Sequence, residues 1–369
     1  MGSVMIAVDL PDDVRTPSRE WLTSIFQVRC PGAEVTVFTI DKIWEGTALK
    51  VRISAEYNDI GTRANLPTSF IVKGVSPEHL DDVEFCYVGE VAFYRDLQSQ
   101  VDINTPECIF AASDPLKRQH LVVLEDLELR GVHFPSVHKT LTYRQATEGL
   151  DILASLHAKW WDSPELDPPG SLGDLRLNDV FPQDDVPPGP FVRSFLEPEN
   201  WAKSMALPRA ASVSRIFHDR ERMGAALYKG AQLNVQRPLC FSHGDPHLGN
   251  LFIDAEGKIG ILDMQCICRS HYAHDLSYFL GSTLDIADRR AWDRALISYY
   301  LTRLGDLGVE NPPAFDRAWA DYSRNMITSL FYWLVDPASM QAEENACAVA
   351  SRLAAAALDL GTLDLLDRL

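Results

Sequence analysis

The apolar residues of this chain change their spacing once, and that change limits the fold more than any other feature. Up to about residue 126 they alternate with polar ones, as in "EVTVFTIDKIW" and "ALKVRISAEY", the period-two pattern of half-buried antiparallel strands. "SFIVKGV", "ECIFAAS" and "QHLVVLEDL" bring the expected strands to about five, with "EGTA" as a turn between the first two. "SREWLTSIF" reads as a short helix, and "PEHLDDVEFCYVGEVAFYRDL" as the main helix of this region. From about Thr140 the spacing becomes helical, starting with "TYRQATEGLDILASLHAKWW" and resuming after the Pro/Gly/Asp-rich connector "PGSLGDLRLNDVFPQDDVPPGP". Only "NLFID" and "KIGILD", joined by "AEGK", return to strands. The expected fold class is α+β: a small antiparallel-sheet lobe over residues 1–126, a hinge near 125–131, and a larger, mostly helical lobe over 127–369.

With 46% hydrophobic residues among 369, the chain can bury a sizeable core. No apolar run reaches the roughly 18 residues that span a bilayer, and "MGSVMIAVDLPDD" is too short and too soon acidic for a secretory signal. A cytoplasmic location is the default expectation. The formal charge of −18 argues against nucleic-acid and anionic-membrane partners, which reward clustered Lys and Arg. Of the seven cysteines, Cys266 and Cys268 lack the two-residue gap of zinc pairs and read as buried thiols.

The densest chemistry lies in residues 240–265, "CFSHGDPHLGNLFIDAEGKIGILDMQ". Asp245 falls in a loop restricted by Gly244 and Pro246, where a carboxylate can take a proton from a hydroxyl. Asn250, five residues on, starts the next strand, and Asp263 ends the hairpin that returns beside it. A neutral amide oxygen next to carboxylates suits Mg²⁺ bound together with substrate phosphates. This is the residue set of phosphoryl transfer: a base, and an Asn and Asp to hold metal on the phosphates. A metal hydrolase using His243, His247, His271 and His274 is a weaker reading, since no His-Glu-x-x-His helix accompanies them. Lys73 is a cation amid the β-branched strand "FIVKGV", and Glu90 interrupts the apolar helical stripe of Val83, Tyr87, Tyr94 and Leu97. A carboxylate buried there needs a partner, and Lys73 is the expected one.

On these residues the chain resembles the aminoglycoside phosphotransferase and choline kinase superfamily of small-molecule kinases, and especially its ecdysteroid-kinase-like (CHK kinase-like) branch. "HGDPHLGN" is similar to the catalytic loop of that family, "ILDMQ" to its metal-binding strand end, "FIVKGV" to its lysine strand, "EVAFY" to its glutamate helix and "LVVLEDL" to its hinge. The resemblance spans roughly residues 35–284 and implies a bilobal, protein-kinase-like fold using ATP and Mg²⁺. It implies Asp245 as catalytic base, Asn250 and Asp263 as Mg²⁺ ligands, Lys73 on the α- and β-phosphates and Glu90 positioning it. His247 would stand near the transferring phosphate, Glu125 and Leu127 at the nucleotide hinge, and His243 and Asp275 as supports of the catalytic loop. A plain helix N-cap is the other reading of Asp275. "IWEGTALKV" has one glycine where protein kinases have three, so Thr47 is the candidate phosphate contact of that turn.

Only eleven residues separate Asp263 from Asp275, too few for a peptide-binding platform, so a small hydroxylated acceptor is expected rather than a protein. The acceptor pocket is expected in the helical additions, residues 165–235 and 288–369. "YSRNMITSLFYWLVD" sets Met326, Leu330 and Trp333 on one helical face, with Phe331 and Tyr332 beside it; these residues, and Trp160 and Trp161, are candidate pocket walls or plain core. A steroid, terpenoid, hydroxyacyl compound or xenobiotic would suit such walls. An aminoglycoside or macrolide is the alternative, with Asp184, Asp185, Glu197 and Glu199 as candidate grips for ammonium groups. A catalytically silent nucleotide-binding module is the alternative of another class.

Overall fold

The computed structural model describes residues 8–78, 80–178, 189–234, 238–337 and 341–369. It consists of two compact units: residues 1–132 with 263–265, and residues 133–262 with 266–369.

The first unit is built on five antiparallel strands: β1 (Val35–Trp44), β2 (Ala48–Tyr57), β3 (Ser69–Val75), β4 (Cys108–Asp114) and β5 (Gln119–Glu125). Their order is β1-β2-β3-β5-β4. One face is sealed by α1 (Arg19–Gln27), whose N-terminus is capped by the Ser18 hydroxyl accepting from the Trp21 amide at 3.0 Å. Trp21, Leu22, Ile25 and Phe26 of α1 pack on Leu49, Val51, Ile53, Phe70, Val72, Leu121 and Val123. Each such side chain contributes about 1.5–3 kcal/mol when removed from water. On β2 the residues between these apolar ones, Lys50, Arg52 and Ser54, point to the other face, as strand geometry requires.

β1 departs from the expected half-burial. Most of it is exposed, including Val37, Ile40 and Ile43. It is one edge of the sheet, and register shifts at Val35/Val37 and Ile40/Lys42 break its alternation. Such bulges also make an edge a poor template for another strand. A short helix, α2 (Asp59–Arg63), was not expected; Asn58 caps it, accepting from the Gly61 amide at 3.0 Å. α3 (Leu80–Ala92) ends in a wider turn at Phe93–Leu97.

The second unit is mostly helical. α4 (Tyr143–Lys159) begins with a reciprocal cap between Thr142 and Gln145. Next come α5 (Pro190–Leu196), α6 (Pro198–Met205), α7 (Pro208–Ala211) and α8 (Arg220–Asn234). Four short strands interrupt the helices: β6 (Leu239–Ser242) pairs with β9 (Cys268–His271), and β7 (Leu251–Ile253) with β8 (Ile259–Ile261). The β7–β8 hairpin was expected. The β6–β9 pair was not, because four residues are too few for a period to show. α9 (Ala273–Thr283) is buried along its whole length. α10 (Ile286–Asp306), α11 (Phe315–Val335) and α12 (Glu343–Asp359) pack against it, and α13 (Thr362–Asp367) packs on α8, α11 and α12. Among the described residues no helix is long and apolar enough to cross a membrane. Of the two cysteines read as buried thiols, Cys268 is buried and Cys266 is only partly so.

α4 approaches α9 closely through Gly149, where an added Cβ would lie 2.2 Å from Cζ of Phe279, a residue 1% exposed. Replacing helical Gly by Ala gains up to about 1 kcal/mol in propensity, but overpacking costs about 1–3 kcal/mol. We expect the clash to win, so that Gly149→Ala lowers the urea midpoint and Gly149→Val lowers it further. A stabilised Gly149→Ala variant would show that the two helices separate freely.

Candidate active site

In the first unit, Lys73 lies on β3 facing away from α1. Its ammonium donates to Glu90 Oε1 at 2.7 Å and to Asp263 Oδ1 at 2.9 Å. Lys73 is 6% exposed and Glu90 3% exposed, so both charges depend on each other. Burial works against the Lys73 ammonium, but Asp263 and Glu90 outweigh it and hold its pKa above the ordinary lysine value. The apolar helical stripe that marked Glu90 is present: Tyr87, Tyr94 and Leu97 are buried beside it. The Val83 side chain lies outside the described ones. Asp263 takes a left-handed backbone conformation at φ 63°, which Asp tolerates better than most residues. Thr47 lies in the β1–β2 turn, and its carbonyl accepts from the Tyr87 hydroxyl, which in turn accepts from the Ser76 amide at 3.2 Å. α3 thus holds both Glu90 and the turn.

At the end of β5, Glu125 accepts from the Glu107 amide at 2.8 Å and from Arg130 at 3.0 Å. Leu127 starts a short turn, Leu127–Arg130, and is 7% exposed. Sequence reasoning passed over Asp126, which caps that turn and takes a 2.7 Å bond from the Ser69 hydroxyl.

In the second unit, the loop after β6 carries the remaining residues. Asp245 is held at one carboxylate oxygen, Oδ2, by the Asn250 amide nitrogen at 3.0 Å and by His247 Nε2 at 3.4 Å. Asn250 also donates to the Asp245 carbonyl at 2.9 Å. His247 Nδ1 accepts from the Gly249 amide, which leaves Nε2 as the protonated nitrogen facing Asp245. Burial alone would raise the Asp245 pKa, but His247 and the Tyr278 hydroxyl reverse this and lower it. Its side chain, 27% exposed, is therefore a carboxylate at neutral pH.

Asp275 does not cap α9. Its carboxylate accepts from the His243 amide at 2.7 Å, the Gly244 amide at 2.9 Å and His157 Nε2 at 3.1 Å. His243 accepts from the Asp245 amide at Nδ1 and donates from Nε2 to the Leu262 carbonyl at 3.1 Å. Gly244 has φ 85°, and an added Cβ would meet the Cys266 carbonyl oxygen at 2.1 Å, so only glycine fits. The four histidines weighed as metal ligands are tied to different partners: His271 accepts from the Ala273 amide, and His274 bonds the Gly244 carbonyl. Among the described residues no group of three or more His, Cys, Asp or Glu is arranged to hold a metal.

The acceptor candidates separate. Trp333 is 3% exposed and packs edge-on against His247, with ring centres 5.2 Å apart. Met326 is fully buried where α9 meets α12, near Gly281 and Leu353. Trp161 lies against Tyr272 and Trp160 against Phe241. Leu330 and Phe331 are fully buried, and Tyr332 donates to Asn178 at 3.2 Å. Glu197 and Glu199 are exposed, while Asp184 and Asp185 fall outside the described residues. Asp336 was missed. It follows α11, and burial together with the nearby charge of Asp245 pushes its pKa up to about 6. A single carboxylate after an apolar helix carries no local signal that would mark it.

Burial would raise the Asp275 pKa, but the His157 bond and the neighbouring imidazoles bring it down to about 2. A carboxylate with a depressed folded-state pKa stabilises the fold above its unfolded value near 4 and loses that contribution as pH falls toward 2. We expect Asp275→Asn to cost on the order of 2 kcal/mol at pH 7 and to flatten the decline in unfolding free energy between pH 4 and 2. An unchanged slope, measured by urea unfolding across that range, would refute this. Trp333→Ala tests the pocket wall: a core role costs about 3–5 kcal/mol, whereas a wall role raises the acceptor KM and leaves ATP affinity alone. Melting temperature, ATP affinity and acceptor KM on that one variant separate the two.

Residues 67–316 match the family model of the phosphotransferase enzyme family. No curated protein sequence matches the chain significantly. Among solved structures it is similar to a candidate aminoglycoside phosphotransferase of Ralstonia eutropha JMP134, at 13% identity and TM-score 0.53, covering 95% of this chain and 98% of that one. It is also similar to the choline kinase LicA of Streptococcus pneumoniae, at 11% identity and TM-score 0.50 over 92% of this chain and 97% of that one. A choline kinase of Cryptosporidium parvum Iowa II matches at 11% identity and TM-score 0.50, covering 95% and 96%. At these identities the likeness concerns the fold.

Proposed function

Because the chain belongs to the phosphotransferase enzyme family, we propose that it is a cytoplasmic kinase of the ecdysteroid-kinase-like branch, moving the γ-phosphate of ATP to a hydroxyl of a small, partly apolar acceptor. The observation that carries this is the Asp245 carboxylate, anionic, partly exposed and oriented by Asn250 and His247. In the proposed step the acceptor hydroxyl donates to Asp245 while its oxygen attacks the γ-phosphorus. The bond to the bridging oxygen breaks, its electron pair leaves with ADP, and the proton passes to Asp245. Lys73 contacts the α- and β-phosphates, Glu90 positions it, Thr47 faces the phosphates, and Glu125 to Leu127 meet the base.

The donors present fit a hard divalent ion. The Asn250 amide nitrogen makes both bonds to Asp245, which turns its oxygen away from that residue. Asp263, 20% exposed at its side chain, follows Leu262, whose amide donates to the Asn250 carbonyl at 2.9 Å. Asn250 and Asp263 are the proposed ligands of Mg²⁺, which when bound would offset charge on the phosphates.

A short turn, β9 and the start of α9 fill the segment between Asp263 and Asp275, which supports a small acceptor over a peptide. Asp336 favours a second reading, an amine-bearing acceptor such as an aminoglycoside, because a half-buried carboxylate near Asp245 suits an ammonium group.

The test is an ATP-consumption screen against hydroxylated metabolites and antibiotics, with mass spectrometry of the product. We expect one acceptor class to be phosphorylated, and Asp245→Asn to lower turnover by roughly 100- to 10,000-fold with Mg·ATP affinity nearly unchanged. Full turnover in that variant would remove Asp245 as the base.

A further inference from the structure

Lys50 of β2 stands directly across from Lys73 of β3 in the sheet register. Side chains opposed in this way lie about 4.5–5.5 Å apart at Cβ, and like charges there repel. Lys73 is matched by Glu90 and Asp263. Arg52, the next residue on the same face of β2, is matched by Asp126 at 3.1 Å and Glu128 at 2.6 Å. Lys50 is only partly exposed, and no hydrogen bond or ion pair engages it among the described residues. Burial, with Lys73 adding to it, lowers the Lys50 pKa, against the weaker pull of Asp263 and Glu90. An unpaired ammonium beside another ammonium is unfavourable unless an anion joins them.

We propose that Lys50 is a second phosphate-binding cation, donating from Nζ to the polyphosphate of the nucleotide beside Lys73. Charge balance gives the reason. Lys73 with Glu90 and Asp263 sums to one positive and two negative charges, a group that repels phosphate. Lys50 neutralises that excess and supplies three N–H donors held by no side chain among the described residues. Lysine suits this place, being a point charge on a flexible stem that reaches phosphate without a fixed fork geometry. The β1–β2 turn with Thr47 lies three residues before it, so the strand that leads out of the turn carries the charge.

This rests on the nucleotide-dependent reading above, and calorimetry with Mg·ATP, adenosine and the Lys50→Met variant separates the two. Methionine keeps most of the lysine stem, and Lys50→Gln provides a second, polar replacement. We expect both variants to bind Mg·ATP about 10- to 100-fold more weakly, the range for one charge-assisted hydrogen bond, with adenosine affinity and melting temperature unchanged. Lys50→Arg should recover most of the loss. If wild type binds Mg·ATP and Lys50→Met binds it equally well, or loses adenosine in the same proportion, Lys50 is not a phosphate contact. If wild type binds no nucleotide, the kinase reading itself falls, and this assignment with it.

Discussion

The geometry of the loop from His243 to Asn250 depends on one buried carboxylate. Asp275 is fully buried, and a charge without solvent costs several kcal/mol unless donors replace the water. The amides of His243 and Gly244 and the ring of His157 are those donors. The carboxylate also sits in the first turn of α9, where the positive end of the helix dipole favours negative charge. Because α9 is buried along its length, the loop inherits the rigidity of the helical core, and Gly244, in a conformation closed to other residues, passes that position on to Asp245. Losing Asp275 would strand two amides as well as one imidazole.

Much of this arrangement was legible in the sequence where a local pattern forced it. β2 alternates over most of its length and β3 is a short β-branched run bounded by turn residues, so their bounds could be read as Ala48–Tyr57 and Ser69–Val75. Glu90 stood out as a carboxylate in an apolar stripe, and the Lys73 bond at 2.7 Å is the partner such a burial demands. What stayed hidden lacked either length or locality. β6 and β9 are four residues each. The β1 pattern was misleading because two register shifts turn its side chains over at the edge.

Contacts between distant residues form the second hidden class. His157 meets Asp275 across 118 residues of chain, and nothing in either segment announces the other. The Tyr87 hydroxyl, read as one apolar position among several, joins the Glu90 helix to the turn holding Thr47. Lys50 looks like any polar strand residue until register sets it opposite Lys73. A polar residue on a strand face is ordinary; two cations paired across that face with one counter-ion set are not.

The pKa of Asp245 bears on how a base in this position would act. A base that removes a proton outright works best with a pKa near neutrality, yet His247 and Tyr278 lower this one. The anion is therefore stabilised before any substrate arrives, at the expense of its proton affinity. Such a carboxylate is a good hydrogen-bond acceptor and a poor proton acceptor. In phosphoryl transfer through a loose transition state, little charge builds on the attacking oxygen until the new bond is well advanced, so the hydroxyl needs orientation early and proton loss only late. The bonds from Asn250 and His247 both go to Oδ2, and the Tyr278 hydroxyl bonds the same carboxylate, so Asn250 and His247 help fix the orientation that an acceptor hydroxyl would meet. On this account the two neighbours set where the acceptor oxygen points, and tuning the carboxylate toward neutrality would weaken that control.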